Sequence, residues 1–162
     1  MTQIKLTTSL GDIVLELDEV KAPISVANFL SYVDKGHYDG LIFHRVIPGF
    51  MIQGGGFSPD MRQKSVDAPI KNEWKNGLKN AKYTIAMART SVADSATSQF
   101  FINVSNNTFL DEARDGAAYA VFGKVSQGSD IVDRIAGVKT ASKGGHGDVP
   151  VTPVVITKAS RL

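Results

Sequence analysis

Three histidines, no cysteine and no clustered acids limit the reactions that the side chains of this 162-residue chain could run. His37, His44 and His146 fall in a turn, a strand and a loop, without the short spacing that holds a metal. The lack of cysteine removes thiol nucleophiles, disulfides and Cys-ligated zinc or iron–sulfur sites. A Ser/His/Asp arrangement has no Gly-x-Ser-x-Gly elbow to support it. Gly54-Gly55-Gly56 lacks both the Gly-Lys-Ser/Thr ending of a phosphate loop and the Gly-x-Gly-x-x-Gly spacing of a dinucleotide site. It reads instead as a strand end or bulge where no Cβ fits. Asn103-Val104-Ser105 and Asn106-Asn107-Thr108 match a glycosylation pattern, which carries no meaning without a secretory signal. What remains is a set unsuited to proton shuttling: Arg45, Phe50, Met51, Gln53, Gln99, Phe101, Phe109 and Leu110. The Arg and Gln side chains donate hydrogen bonds, and the others offer apolar surface.

Most of this set hangs on the stretch from Phe43 to Phe57, which reads as two short strands joined at Pro48-Gly49. Strand side chains alternate faces, so Phe43 and Arg45 share one face and His44 and Val46 the other. Past the turn, Met51 pairs with Gln53. Arg45 has apolar neighbours and no acid within five residues on either side. Arginine is seldom fully buried alone, so it either meets a distant carboxylate or reaches water along its stem. His44 reads as a hydrogen-bonded core histidine, and Trp74 as a packing anchor in a long loop.

The elements around this stretch are short. Ile4–Thr8 and Asp12–Leu17 read as a hairpin, with Ile13, Leu15 and Leu17 on one face. Ile24, Ala27, Phe29-Leu30 and Val33 follow near helical spacing, with Pro23 in the first turn and Gly36 as the stop. Residues 58–81 form a long polar loop region, a length that is often functional. Tyr83–Arg89, Ser98–Val104, Ala118–Val125 and Val154–Lys158 read as strands. In Ser98–Val104, Gln99 and Phe101 share one face, and Phe100 and Ile102 the other. Ser129 is placed to cap a short second helix ended by Gly137, and Ser142–Gly147 reads as a flexible polar loop. Seven or eight short strands, mostly joined by hairpin-like turns, with two separate helices indicate an antiparallel sheet that is closed or nearly so.

A 162-residue chain with 43% hydrophobic residues fits one domain, residues 1–162, with a sizeable core. A net charge of +2 on dispersed lysines does not argue for nucleic acid. No secretory h-region and no bilayer-length apolar run are present, so a cytoplasmic protein without membrane attachment is expected.

Phe43-His-Arg-Val-Ile-Pro-Gly-Phe-Met-Ile-Gln-Gly-Gly55 resembles the central motif of the cyclophilins, the peptidyl-prolyl cis–trans isomerases. Ala86-Met-Ala-Arg89, Ser98-Gln-Phe-Phe-Ile-Asn103 and Val121-Phe-Gly-Lys-Val125 match later blocks of that family in order, so the resemblance spans essentially the whole chain. The cysteine-free form, with Lys71-Asn-Glu73 and Gly77-Leu-Lys-Asn80, is similar to bacterial cytoplasmic members. The resemblance implies a mainly β fold, a closed eight-stranded antiparallel β-barrel capped by two α-helices, with the substrate groove outside the barrel. It implies Arg45 as the catalytic arginine, Phe50, Met51, Phe101 and Leu110 as the proline pocket, and Gln53 and Gln99 around the substrate backbone. Ala88 and Arg89 would form the edge that holds the peptide extended. No cofactor or metal is implied, and the partners are proline-containing peptides and unfolded protein clients. Phe109 stands where many members have Trp, Tyr119 where they have His, and Arg89 where they have Asn. The first implies weak cyclosporin binding. The other two bear on peptide preference more than on activity, because backbone groups serve at the Arg89 position. A second class of function is a module or chaperone that binds proline segments with little turnover. The combination of Arg45 with a full pocket favours the enzyme, because binding alone does not need that arginine.

Overall fold

A computed structural model describes residues 1–162. Ten strands, two α-helices and one 3₁₀ helix follow in the order β1 (Thr2–Thr8), β2 (Gly11–Leu17), α1 (Pro23–Asp34), β3 (Arg45–Ile47), β4 (Met51–Gly54), β5 (Thr84–Met87), β6 (Phe100–Asn103), the 3₁₀ helix (Thr108–Asp111), β7 (Val121–Gln127), α2 (Ser129–Ala136), β8 (Thr140–Lys143), β9 (His146–Pro150) and β10 (Ile156–Arg161). Eight strands form one strongly curled, half-barrel antiparallel sheet in the order β10-β1-β2-β7-β5-β6-β4-β3. Its edge strands, β10 and β3, do not form a ladder with each other. The chain just before each of them makes one isolated bridge, Ile42 with Val155.

The alternation of the strands explains the core. Ile4 and Leu6 of β1, Ile13, Leu15 and Leu17 of β2, and Phe100 and Ile102 of β6 all turn into one buried cluster. Its centre is aromatic: the Phe29 ring lies 5.1 Å from Tyr38, 5.6 Å from Phe100 and 5.3 Å from Phe122. Burying one such ring contributes roughly 1.5–3 kcal/mol. A smaller cluster joins Met51 of β4, Ala86 of β5, Phe101 of β6 and Val121 of β7 with Leu110 of the 3₁₀ helix, on the opposite face of the sheet.

Pro23 starts α1, where its missing N–H costs nothing. The free amides of that first turn are met from far along the chain. Glu73 accepts from Ile24 N–H at 3.2 Å and from the N–H and hydroxyl of Ser25 at 2.6 and 2.8 Å. The buried face is Ser25, Val26, Phe29, Tyr32 and Val33. Ile24 and Ala27, expected on that face, are exposed, because a helix begun at Pro23 turns them away from the sheet.

Three further expectations change. Ser129 does not cap α2. The cap is Gly128, with a φ of 87°, where an added Cβ would lie 2.3 Å from the Asp12 carbonyl oxygen. Ser142–Gly147 is not a flexible loop but the turn of the β8–β9 hairpin, with Gly144 and Gly145 both at positive φ, as a tight two-residue turn requires. The last strand begins at Ile156 rather than Val154, since Val154 and Val155 are used in the crossing to residues 42 and 43.

Candidate functional site

The turn at Pro48-Gly49 sets the register of β3 against β4, with Arg45 opposite Gln53, Val46 opposite Ile52 and Ile47 opposite Met51. Arg45 and Gln53 are therefore cross-strand neighbours on one face. On its other side β4 pairs with β6, placing Gln53 opposite Phe101 and Met51 opposite Asn103. Three adjacent strands thus deliver Arg45, Gln53, Met51 and Phe101 to the outer face of the sheet.

A cavity of about 110 Å³ opens there, lined by Arg45, Phe50, Met51, Gln53, Ala88, Arg89, Phe101, Leu110 and Tyr119. Its floor is apolar and buried: Met51 is 2%, Phe101 4% and Leu110 8% exposed. Arg45 is exposed at its rim. Of the two accounts of Arg45, the distant carboxylate does not hold, for none of the five ion pairs of the chain involves it, and its exposure fits the side chain that reaches water. Its guanidinium faces outward with its donors uncommitted.

An adjoining cavity of about 150 Å³ shares Gln53, Ala88 and Arg89 with the first and adds Gln63, Thr90, Ser95, Thr97 and Gln99. Gln99 therefore lines the neighbour rather than the main pocket, and it touches the main pocket through Gln53, whose amide donates to Gln99 Oε1 at 3.0 Å. A Cβ on Gly56 would lie 2.6 Å from the Gln99 side chain, so the third glycine of the triplet makes room for it. Gln63, Ser95 and Thr97 had no signal in the sequence beyond lying in long polar loops.

Phe109 does not line the cavity. It sits 41% exposed on the 3₁₀ helix and stacks on Phe50 with ring centres 5.6 Å apart. It thereby extends the apolar wall outward. Tyr119 does line the cavity, and its ring meets Phe101 edge-on at 5.6 Å.

Arg89 departs from the reading in which only backbone matters at that position. Its guanidinium donates to the carbonyls of Thr90, Arg114 and Ala117, each at 2.8 Å, and to Ala118 at 3.4 Å. It also lies 4.9 Å from the centre of the Tyr119 ring. The side chain is a clamp between the 88–90 edge and the 114–119 loop.

His44 precedes Arg45 and points inward. Burial first, then the positive charge of His146 and Arg45, lower its pKa to about 4. The residue is buried as expected, but its Nδ1 has no hydrogen-bond partner, and the ring instead packs on Phe57 at 4.5 Å. Groups of three or more His, Cys, Asp or Glu able to hold a metal do not occur. The site offers uncommitted donors above a closed apolar floor, an arrangement for gripping a compact ring and hydrogen-bonding a nearby amide.

Comparisons with known proteins agree with this geometry. Residues 3–161 match the family described as cyclophilin type peptidyl-prolyl cis-trans isomerase/CLD. The chain is 61% identical over 165 residues to a peptidyl-prolyl cis-trans isomerase of Streptomyces antibioticus, covering 100% of this chain and 99% of that one. It is 55% identical over 152 residues to peptidyl-prolyl cis-trans isomerase B of Escherichia coli, covering 92% and 93%. A solved cyclophilin type isomerase of Cryptosporidium parvum superposes with a TM-score of 0.80 at 26% identity, covering 100% of this chain and 98% of that one. A second structure of that protein, in the presence of the dipeptide Ala-Pro, gives 0.77 at 26% identity, covering 97% and 96%.

Proposed function

We propose roles for the residues of this pocket from one premise: the chain belongs to the cyclophilin-type peptidyl-prolyl cis-trans isomerase family, and it is a peptidyl-prolyl cis-trans isomerase. Rotation about a peptide bond meets a barrier of about 18–20 kcal/mol from amide resonance. At the top the bond is twisted, the nitrogen regains a lone pair and charge separation across the amide falls. No bond breaks, so the reaction requires no acid, base or nucleophile. The site must prefer the twisted amide over both planar forms.

In this reading Arg45 is the catalytic residue. Its guanidinium supports donation toward the pyramidal nitrogen, whose lone pair is available only in the twisted amide. Phe50, Met51, Phe101 and Leu110 hold the pyrrolidine ring and exclude the water that favours the planar amide. Gln53 and Gln99 engage the substrate backbone, Ala88 and Arg89 border the extended peptide, and Phe109 and Tyr119 widen the contact. A roughly 10⁵-fold acceleration needs about 7 kcal/mol. One preorganised donor supplies about 2.7–4 kcal/mol. The remainder falls to the pocket, which is therefore part of the catalyst. The observation that carries the reading is an unpaired, exposed arginine at the rim of a cavity with a buried apolar floor.

The substrates are proline-containing segments of peptides and unfolded chains, whose folding the enzyme assists, in the cytoplasm. The Ala-Pro structure of the Cryptosporidium parvum relative supports the peptide class, and no helix here is long and apolar enough to cross a membrane. Residues 1–162 act as one domain, a view supported by the pairing of β1 with β10. The curled sheet behaves as a closed barrel. The Ile42–Val155 bridge supports this, with Phe43 N–H donating to Val154 at 3.1 Å and Ile156 N–H to Leu41 at 2.8 Å.

A protease-coupled assay on a short Xaa-Pro peptide tests the central assignment. Arg45→Ala should lower kcat/KM at least ~10²-fold with unchanged circular dichroism. A folded variant with near-normal turnover would remove Arg45 from the mechanism.

A further inference from the structure

Phe50, Leu110 and Tyr119 line the pocket from a turn, a 3₁₀ helix and a loop that share no strand ladder with one another. Behind them lie three asparagines, Asn80, Asn103 and Asn107, exposed by 1%, 0% and 4%. Asn107 donates to the Phe50 carbonyl and to Asn103 Oδ1, both at 2.8 Å. Asn103 donates to Asn80 Oδ1 at 3.1 Å and to the Thr84 hydroxyl at 3.0 Å. Asn80 donates to Asp111 Oδ1 at 2.9 Å and to the Tyr119 carbonyl at 3.2 Å. Every amide N–H of the three side chains is thus used. Backbone bonds continue the chain of contacts: Leu110 N–H reaches Asn107 at 2.9 Å, and Tyr119 N–H reaches Leu110 at 3.2 Å.

An unmet polar group in such a place costs far more than a met one gains. A buried network whose amide donors are all used therefore holds one arrangement against its alternatives. Asn103 belongs to β6, directly opposite Met51. The network transmits the register of the sheet to the three segments that lack one. None of the asparagines lines the cavity, so whatever they do for the reaction passes through Phe50, Leu110 and Tyr119.

We infer that Asn80, Asn103 and Asn107 are positioning residues that set the width of the proline pocket and so its affinity for substrate. The inference rests on the reading of this pocket as the seat of the proline ring.

The test is Asn107→Ala in the full chain, followed by peptide kinetics and by amide chemical shifts. KM should rise roughly tenfold, with kcat within about threefold because Arg45 and Phe101 stay in place. Shifts should concentrate at Phe50, Leu110 and Tyr119. Val132→Ala, a core truncation on α2, controls for lost stability: its Tm should fall while KM stays at the wild-type value. Equal KM for Asn107→Ala and wild type, or a KM that tracks Tm across both variants, overturns the inference. Should Asn107→Ala not fold, Thr84→Val removes one outer acceptor and should raise KM about two- to threefold, with the same three amides moving. A Thr84→Val protein with wild-type KM overturns it equally. Phe101→Ala separates the two levels. If it leaves KM unchanged, the pocket reading fails. If it raises KM while the asparagine variants do not, the network alone fails.

Discussion

Met51, Gln53 and Phe101 form one wall of the pocket, and Phe50, Leu110 and Tyr119 form the other, and the two walls are held by different means. The first stands on β4 and β6, paired with each other, and with β3 and β5 on their outer sides. Its position follows from ladder register and strand alternation, which leave each side chain a single face. The second stands on irregular chain, fixed by the Arg89 clamp and by asparagine amides reaching backbone carbonyls. A ladder fails only with the sheet. A clamp fails with one side chain. Rigidity at this site is therefore cooperative on one side and itemised on the other.

Phe101→Ala strikes the ladder wall and should have the largest effect. Truncating a buried Phe costs about 3–5 kcal/mol. Its removal should also raise KM and lower turnover, measured by thermal melting alongside the peptide assay. A folded variant with wild-type kcat/KM would break the comparison by showing that the ladder wall does not serve the substrate.

Acid should act next, through two buried histidines that belong to neither wall. His37 and His44 are both held neutral with pKa values lowered to about 4, His37 by burial and then by Lys64 and Lys35. Their folded-state values lie below the unfolded value near 6.5, so the unfolded chain binds more protons between those limits. The stabilisation is complete above about pH 6.5 and is lost as pH falls toward 4. Tm should drop steeply between pH 6.5 and 4.5, and His44→Gln should flatten that slope. An unchanged slope would place the acid sensitivity elsewhere.

Arg89→Lys tests the loop wall alone. An ammonium cannot span four carbonyls as a guanidinium does. A loss of about 1–2 kcal/mol of local stability is expected, read as faster amide exchange across residues 114–119, with KM raised several-fold and the exchange of β4 and β6 unaltered. Faster exchange throughout the sheet would erase the distinction between the walls.

Phe109→Trp should have the smallest effect on the reaction and sharpens the view of the outer rim. Phe109 stacks on Phe50 and offers no hydrogen-bond donor. An added indole N–H, worth about 0.5–1.5 kcal/mol, with extra ring area, should strengthen cyclosporin binding at least tenfold. Peptide turnover should change little. Titration of both proteins with the drug checks this, and equal affinities would show that the rim position does not control it.

The ladder wall was legible in the sequence because alternation is written in residue types. Gln99 and Phe101 against Phe100 and Ile102 could be sorted by period alone, and the glycine triplet announced a crowded backbone. The loop wall was not legible in the same way. Arg89 and Asn107 hold main-chain carbonyls, and a carbonyl has no letter. The β8–β9 hairpin was missed because its strands are polar and exposed, so no apolar period marks them. Gly128 was missed as a helix start because Ser129 offered the commoner cap. The edges of the curled sheet depend on which distant strands meet, information that no local stretch carries.

One pairing has a consequence in time. β1 lies beside β10, with Ile4 opposite Arg161 and Leu6 opposite Ala159. β1 therefore leaves the ribosome long before β10 and waits for roughly 150 further residues before its second neighbour exists. At roughly 5–20 residues per second, that delay is on the order of ten seconds. Throughout it the β1–β2 hairpin carries an open edge, which invites pairing with other nascent chains. A peptidyl-prolyl isomerase thus has a slow step in its own assembly, set by topology and beyond the reach of any prolyl isomerase.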